Sequence, residues 1–342
     1  MSAPVITDAD VTERAALAGA GDDHHFVAVT AGEWRGWYGA VSRPVAVRAA
    51  KLASLLTGHS VDDHAGILAK LTPHAVDSVD SWAIGALDCA VWDLHAKHTN
   101  LPVAALLTGQ APAAVDLYAS WLNLDLHRPY ATRDMVELAR QGWLFTKWAL
   151  RRPFNRPDTA AQDLATAVTQ VAAIVGQPAA FDALFTWNND LLRRFRSWVD
   201  LAALRWLEDP LAATDATGYR TFTRRLPIAV GERLSLDMDP ADVLGFGPAA
   251  LTLDVVGCGG LTRAIGLAER AHRAGILTYP HGRSFVAGVH LAAAMPHAVR
   301  AVEYQLPWMP RRQRLLAHDW TPDSGRLPAP GEPGLGADPR SL

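Results

Sequence analysis

Between Phe181 and Glu232, three acidic residues close three short apolar runs at nearly equal spacing. This restricts the fold more than any other feature of the chain. Pro178 to Phe181 leads into Asp182, Leu204 to Leu207 into Glu208, and Pro227 to Val230 into Glu232. The intervals are 26 and 24 residues, about the length of one strand-plus-helix unit of a parallel barrel. Acids at the C-terminal ends of three successive strands converge on one barrel mouth. Three hard oxygen ligands, with room left for water and substrate, suit Mg²⁺.

The flanking sequence fits such a barrel. Strand and helix patterns alternate from Val115 to Glu303, which indicates a parallel sheet. Strands are predicted at 115–120, 143–150, 179–182, 204–208, 227–232, 249–254, 276–280 and 299–303, the last closed by Glu303. No helix is expected after the eighth strand, because 310–342 is rich in Pro, Gly and turn residues. Upstream, residues 5–41 read as an antiparallel sheet with a loop at Gly19-Ala20-Gly21-Asp22-Asp23. Residues 43–110 read as helical, with a long helix over Trp82–Lys97 preceded by cap residues Ser78 to Ser81. The expected domains are a cap over 1–112, a barrel over 113–305 and a C-terminal segment over 306–342.

Composition excludes several functions. The chain has 342 residues, 49% of them hydrophobic, enough for a large core. A net charge of −3 gives no reason to expect nucleic acid or membrane as a partner. No apolar run approaches a membrane span and Met1-Ser2-Ala3-Pro4 lacks a basic leader, so a cytoplasmic protein is expected. Two cysteines, Cys89 and Cys258, argue against a disulfide framework or a cysteine metal site.

Asp182, Glu208 and Glu232 with their neighbours resemble the enolase superfamily, in particular its mandelate racemase-like branch. The resemblance extends over Ala86-Leu87-Asp88-Cys89-Ala90-Val91-Trp92-Asp93-Leu94, Leu101-Pro102-Val103 and Leu106-Leu107-Thr108-Gly109. It continues through Leu253-Asp254-Val255 with Gly259-Gly260-Leu261-Thr262, and Pro333-Gly334-Leu335-Gly336. It implies an α/β fold: a modified TIM barrel, (β/α)7β, with an α+β capping domain closed by both chain ends. It also implies a homo-oligomer, and removal of the proton next to a carboxylate, with Mg²⁺ stabilising the enediolate.

The same resemblance assigns roles. Asp182, Glu208 and Glu232 would hold the metal. His281 and Asp254 occupy the positions of a His-Asp dyad, in which the Asp fixes the tautomer and raises the imidazole pKa. Lys147 matches the first lysine of a Lys-X-Lys pair and would hold the substrate carboxylate. Glu303 would hydrogen-bond that carboxylate as a protonated acid of raised pKa.

Two positions depart from the pattern. Ala149 stands where the second lysine, the base on the opposite face, is usual. Leu184 stands where an Asn often follows the first ligand, with Asn188 or Asn189 as candidate substitutes. Tyr118, Arg151, His24 and His25 are weak candidates for a second base, and Arg283 for a polyol contact. Asp209 reads as supporting a ligand rather than being one. Trp37, Trp148 and Trp187 read mainly as packing.

With one base evident, chemistry on one face is expected. The expected enzyme is a Mg²⁺-dependent hydro-lyase that takes a small-molecule carboxylate, a sugar acid, to a 2-keto-3-deoxy acid. A racemase or epimerase, and a metal-binding barrel without turnover, are the alternatives.

Overall fold

A computed structural model describes residues 3–14, 23–126, 128, 130–152 and 159–341. Of the expected loop over Gly19 to Asp23, residues 19–22 lie outside them and Asp23 begins a strand. The chain opens with an antiparallel sheet of β1 (Asp8–Glu13), β2 (Asp23–Ala31) and β3 (Trp34–Ser42), in that spatial order. Helices α1 (Arg43–Leu52), α2 (His64–Leu71), α3 (Ser78–Thr99) and α4 (Val103–Thr108) follow. α3 starts four residues before the predicted Trp82, because the Asp77 carboxylate caps it by accepting from the Asp80 N–H. Asn100, at φ 56°, ends it in the left-handed conformation.

α3 is buried along most of its length because it lies between two layers. On one side β3 comes so close that a Cβ on Gly36 would sit 2.1 Å from the Ala90 oxygen. On the other, a Cβ on Gly85 would sit 2.0 Å from the Val256 oxygen. The small residues of this helix are therefore contact surface for two backbones.

The barrel follows, its strands in chain order β4 (Val115–Trp121), β5 (Thr146–Ala149), β6 (Ala179–Asp182), β7 (Leu204–Glu208), β8 (Ile228–Val230), β9 (Ala250–Leu251), β10 (Leu277–Thr278) and β11 (Val302–Gln305). Each is parallel to its neighbour, and β11 returns to pair with β4. A bridge between Thr278 and Val299, with Glu303 N–H donating to the Pro280 oxygen at 3.0 Å, joins the seventh and eighth strands. The helices between strands are α5 (Ala131–Ala139), α6 (Ala160–Val175), α7 (Asn189–Arg196), α8 (Ala216–Phe222), α9 (Pro240–Leu244), α10 (Leu261–Arg273) and α11 (Phe285–Ala294).

Two expectations fail. The eighth strand runs past Glu303 to Gln305, and a short helix, α12 (Met309–Arg312), does follow it. β12 (Arg326–Leu327) then pairs antiparallel with β4.

The C-terminal segment returns to the cap through one buried carboxylate. Asp93 on α3 accepts from the Leu335 N–H at 2.6 Å, the Trp37 N–H at 2.7 Å and the Lys97 ammonium at 2.6 Å. Among the described residues no helix is long and apolar enough to cross a membrane.

Candidate active site

The parallel order brings the strand ends to one rim. Asp182 ends β6, Glu208 ends β7, and the two are direct partners in register. Lys147 in β5 faces Ser120 and Ala180, and Glu303 in β11 faces Tyr118. Glu232, Asp254 and His281 lie just past the ends of β8, β9 and β10.

Side chains alternate along a strand, so the residue two earlier lies beneath each site residue. Phe145 underlies Lys147, Ala180 underlies Asp182, Trp206 underlies Glu208 and Ala301 underlies Glu303. With Tyr118, Ala229, Ala250 and Tyr279 these form a separate apolar cluster. Rings on some strands meet alanines on others, and Tyr118 stacks on Phe145 at 4.5 Å. The charged layer thus rests on an apolar floor, where electrostatic interactions are strong.

Lys147 is fully buried among the acids. Its Nζ donates to Glu208 Oε1 at 2.9 Å, lies 2.9 Å from Glu303 Oε1 and 3.6 Å from Asp182 Oδ2. The Glu303 contact is an ion pair off the line of a hydrogen bond. In this structure the Lys147 ammonium lies among the protein's own acids, which hold its pKa well above the usual range although burial opposes this.

One ammonium cannot offset three carboxylates. Burial pushes Glu208 up to about 7 against the pull of Lys147, and Asp182 rises for the same reason. Glu303 goes the other way. Burial would raise it, but Lys147 and His281 together bring it down to about 2. In the metal- and substrate-free site Glu303 is thus a carboxylate between Lys147 and His281. It also accepts from the Gly282 N–H at 2.8 Å.

His281 Nδ1 lies 3.5 Å from Asp254 Oδ2, and its Nε2 lies 3.5 Å from Glu303 Oε2. Asp254 is fixed through its other oxygen, which accepts from the Ser284 hydroxyl and from the Gly257 N–H at 2.9 Å. Burial lowers the His281 pKa, but Glu303, Glu232 and Asp254 outweigh it and lift the value to about 10. Sequence reasoning missed Ser284 and Gln305. Gln305 Nε2 lies 3.4 Å from His281 Nε2 and 3.5 Å from Glu303 Oε2. A strand extended by two residues would have indicated it, since Glu303 and Gln305 share a face.

The acids fit a cation beyond Lys147. Asp182, Glu208, Asp209, Asp254 and Glu303 are all buried, and Glu232 lies close enough to raise Asp182 and Asp209. Against them stand Lys147 and His281. Asp209 adds a buried carboxylate oxygen without a partner, its pKa pushed well up by burial and then by Glu208 and Glu232. The surplus of negative charge and the hard oxygen donors match what a divalent cation needs.

Other candidates lie elsewhere. Asn188 caps α7 and Asn189 donates to Asp215, so neither replaces the Asn missing at Leu184. Leu184 itself, at φ 55°, turns its N–H onto Asp182 Oδ1. Ala149 is the register partner of Asp182, so a methyl group occupies the position of the absent second base. The phenol of Tyr118 is buried and its pKa is raised well above the usual range, first by burial and then by Glu303. Arg151 is exposed and donates to the Leu122 oxygen. His24 and His25 meet Glu13 in the cap. Arg283 stacks over Trp82 at 4.4 Å. Trp148 and Trp187 are buried packing residues, and Trp37 is partly buried. A cavity of about 460 Å³ is lined by residues such as Trp121, Leu138 and Leu306, and none of the site acids lines it.

Family comparisons cover most of the chain. The model for the mandelate racemase/muconate lactonizing enzyme N-terminal domain matches residues 29–108, and that for the enolase C-terminal domain-like family matches residues 131–341. A hydrophobic dipeptide epimerase of Roseobacter litoralis is 30% identical over 202 residues, 57% of this chain and 56% of that protein. L-rhamnonate dehydratase of Saccharopolyspora erythraea is 27% identical over 282 residues, 74% of this chain and 65% of that protein. The matches thus span less than two thirds of these relatives. The solved structure of L-talarate dehydratase from Polaromonas sp. JS666, complexed with Mg and L-glucarate, is similar at TM-score 0.78 and 25% identity. That likeness covers 98% of this chain and 95% of that one.

Proposed function

The chain belongs to the mandelate racemase/muconate lactonizing enzyme family of the enolase superfamily, and from that premise we propose that it is a Mg²⁺-dependent dehydratase of a sugar acid. The observation that carries this reading is the pairing of one supported imidazole, His281 on Asp254, with a methyl group at Ala149. Dehydration on one face needs a single group that first takes and then gives a proton.

Asp182, Glu208 and Glu232 are the residues that would hold the ion. When bound, Mg²⁺ supplies charge stabilisation to the doubly anionic form of the substrate. Asp254, anchored by Ser284 and the Gly257 N–H, lies 3.5 Å from His281 Nδ1, where its charge would hold the ring and direct Nε2 at the substrate. The acids that raise His281 in the metal-free site would be offset by a bound divalent cation, and in that state the neutral imidazole would accept the α-proton at Nε2. The resulting imidazolium returns a proton to the departing β-hydroxyl, which leaves as water. The product is an enol that becomes a 2-keto-3-deoxy acid. Glu303 and Lys147 hold the charge balance beside this nitrogen, and the aromatic floor excludes water from below.

The rhamnonate and talarate dehydratases among the similar proteins support a sugar-acid substrate. The dipeptide epimerase motivates the second reading, inversion at an α-carbon, and the lack of a lysine at Ala149 weighs against it.

The test is a panel of sugar acids with purified protein and Mg²⁺, assayed for 2-keto-3-deoxy products, with His281→Asn as control. Metal-dependent product that disappears in the variant supports dehydration. Solvent deuterium entering an unchanged or inverted substrate, without elimination, would replace it with epimerisation.

A further inference from the structure

In the cap, Glu13, His24 and His25 bring three potential ligand atoms within 4.8 Å of one another. Successive residues of a regular strand face opposite sides, so two adjacent histidines should diverge. Here β2 slips register against β3 on both sides of His25, and such a bulge re-aims a side chain. The two rings stack with centroids 4.6 Å apart. Glu13, opposite His25 across the β1–β2 pair, places Oε1 3.2 Å from His24 Nε2 and Oε2 3.9 Å from His25 Nε2. Both Nε2 atoms therefore converge on one carboxylate, while each Nδ1 is buried without a partner.

We propose that Glu13, His24 and His25 bind a first-row transition-metal ion of the Zn²⁺ class, at a site separate from the barrel mouth. Two imidazoles and a carboxylate form a nitrogen-rich set that suits Zn²⁺ and its neighbours, whereas the barrel acids offer hard oxygens. The groups that influence His25 are His24, Glu13, Arg43 and the Val41 backbone, and none is a barrel acid. The Glu13 side chain is 68% exposed, so coordination positions remain open to water. The ion links the end of β1 to the start of β2.

The experiment is calorimetric titration of Zn²⁺ into full-length protein saturated with Mg²⁺. One additional equivalent per chain is expected. Glu13→Gln and His24→Ala should each weaken it at least about tenfold. His297→Ala, which removes a His–Glu pair on the surface, and Glu232→Gln, in the barrel, should leave it unchanged. Because Glu13 is exposed, the Glu13→Gln protein is expected to melt as the wild type does without Zn²⁺. Co²⁺ in the same protein should give a visible absorption band that Glu13→Gln abolishes. Equal Zn²⁺ affinity in wild type and both cap variants, weakening by His297→Ala or Glu232→Gln instead, or no equivalent beyond the Mg²⁺-filled site overturns the proposal.

Discussion

Residues at the barrel mouth are set by a shortage of positive charge. Lys147 and His281 face buried carboxylates that outnumber them, and in metal-free protein the pKa shifts turn that imbalance into pH dependence. His281 is raised from 6.5 to about 10, so the folded state holds a proton that the unfolded chain has lost. Its contribution is complete below pH 6.5 and disappears as pH rises to about 10. Glu208, raised to about 7, acts in the same direction, whereas Glu303, lowered to about 2, acts only in acid. Thermal melts of metal-free protein should therefore show stability falling by at least about 1 kcal/mol between pH 6 and 9. Saturating Mg²⁺ should flatten the curve, and an unchanged slope would contradict the charge argument. Gln305 gives a second check. Gln305→Leu removes the amide beside His281 Nε2 and should lower kcat/KM about tenfold, with altered preference among epimeric sugar acids and little change in melting.

At the level of elements, α3 shows why small residues carry structural meaning. Gly85→Ala would drive a methyl group into the Val256 oxygen, and that backbone lies two residues past Asp254. A stability loss of about 1–3 kcal/mol is expected, together with lower turnover because the Asp254–His281 contact moves. A melt like that of the wild type would show that the helix yields freely. Ser284→Ala separates positioning from folding. It takes one donor from Asp254 and should shift the pH profile of kcat more than it shifts the melting temperature.

Across the whole molecule, Asp93 joins three parts of the chain: the cap sheet through Trp37, α3 through Lys97 and the C-terminal segment through Leu335. Asp93→Ala would leave the Leu335 and Trp37 N–H groups without this acceptor, while Lys97 keeps Asp338. The expected cost is about 1–3 kcal/mol, with faster proteolysis near residues 331–341. Intact C-terminal segments under limited proteolysis would show that other contacts hold the cap, such as the bridge between Pro102 and Gly334.

The barrel and its mouth were legible because both depend on periodicity. β6 and β7 end on Asp182 and Glu208 as the spacing predicts, since parallel strands joined by helices present every C-terminal end to one side. The limits of β9, β10 and β11 were not legible, because ladder pairing with neighbours, rather than local composition, decides where a strand stops. Sequence could name Lys147 and Glu303 as charged groups at the mouth. Only tertiary structure decided that they lie beside each other, which holds Glu303 below the ordinary carboxylate range in the metal- and substrate-free site, because a buried pKa depends on which charges lie within a few ångströms. The same holds for His24 and His25, which face one carboxylate through a bulge that appears only once three strands pair.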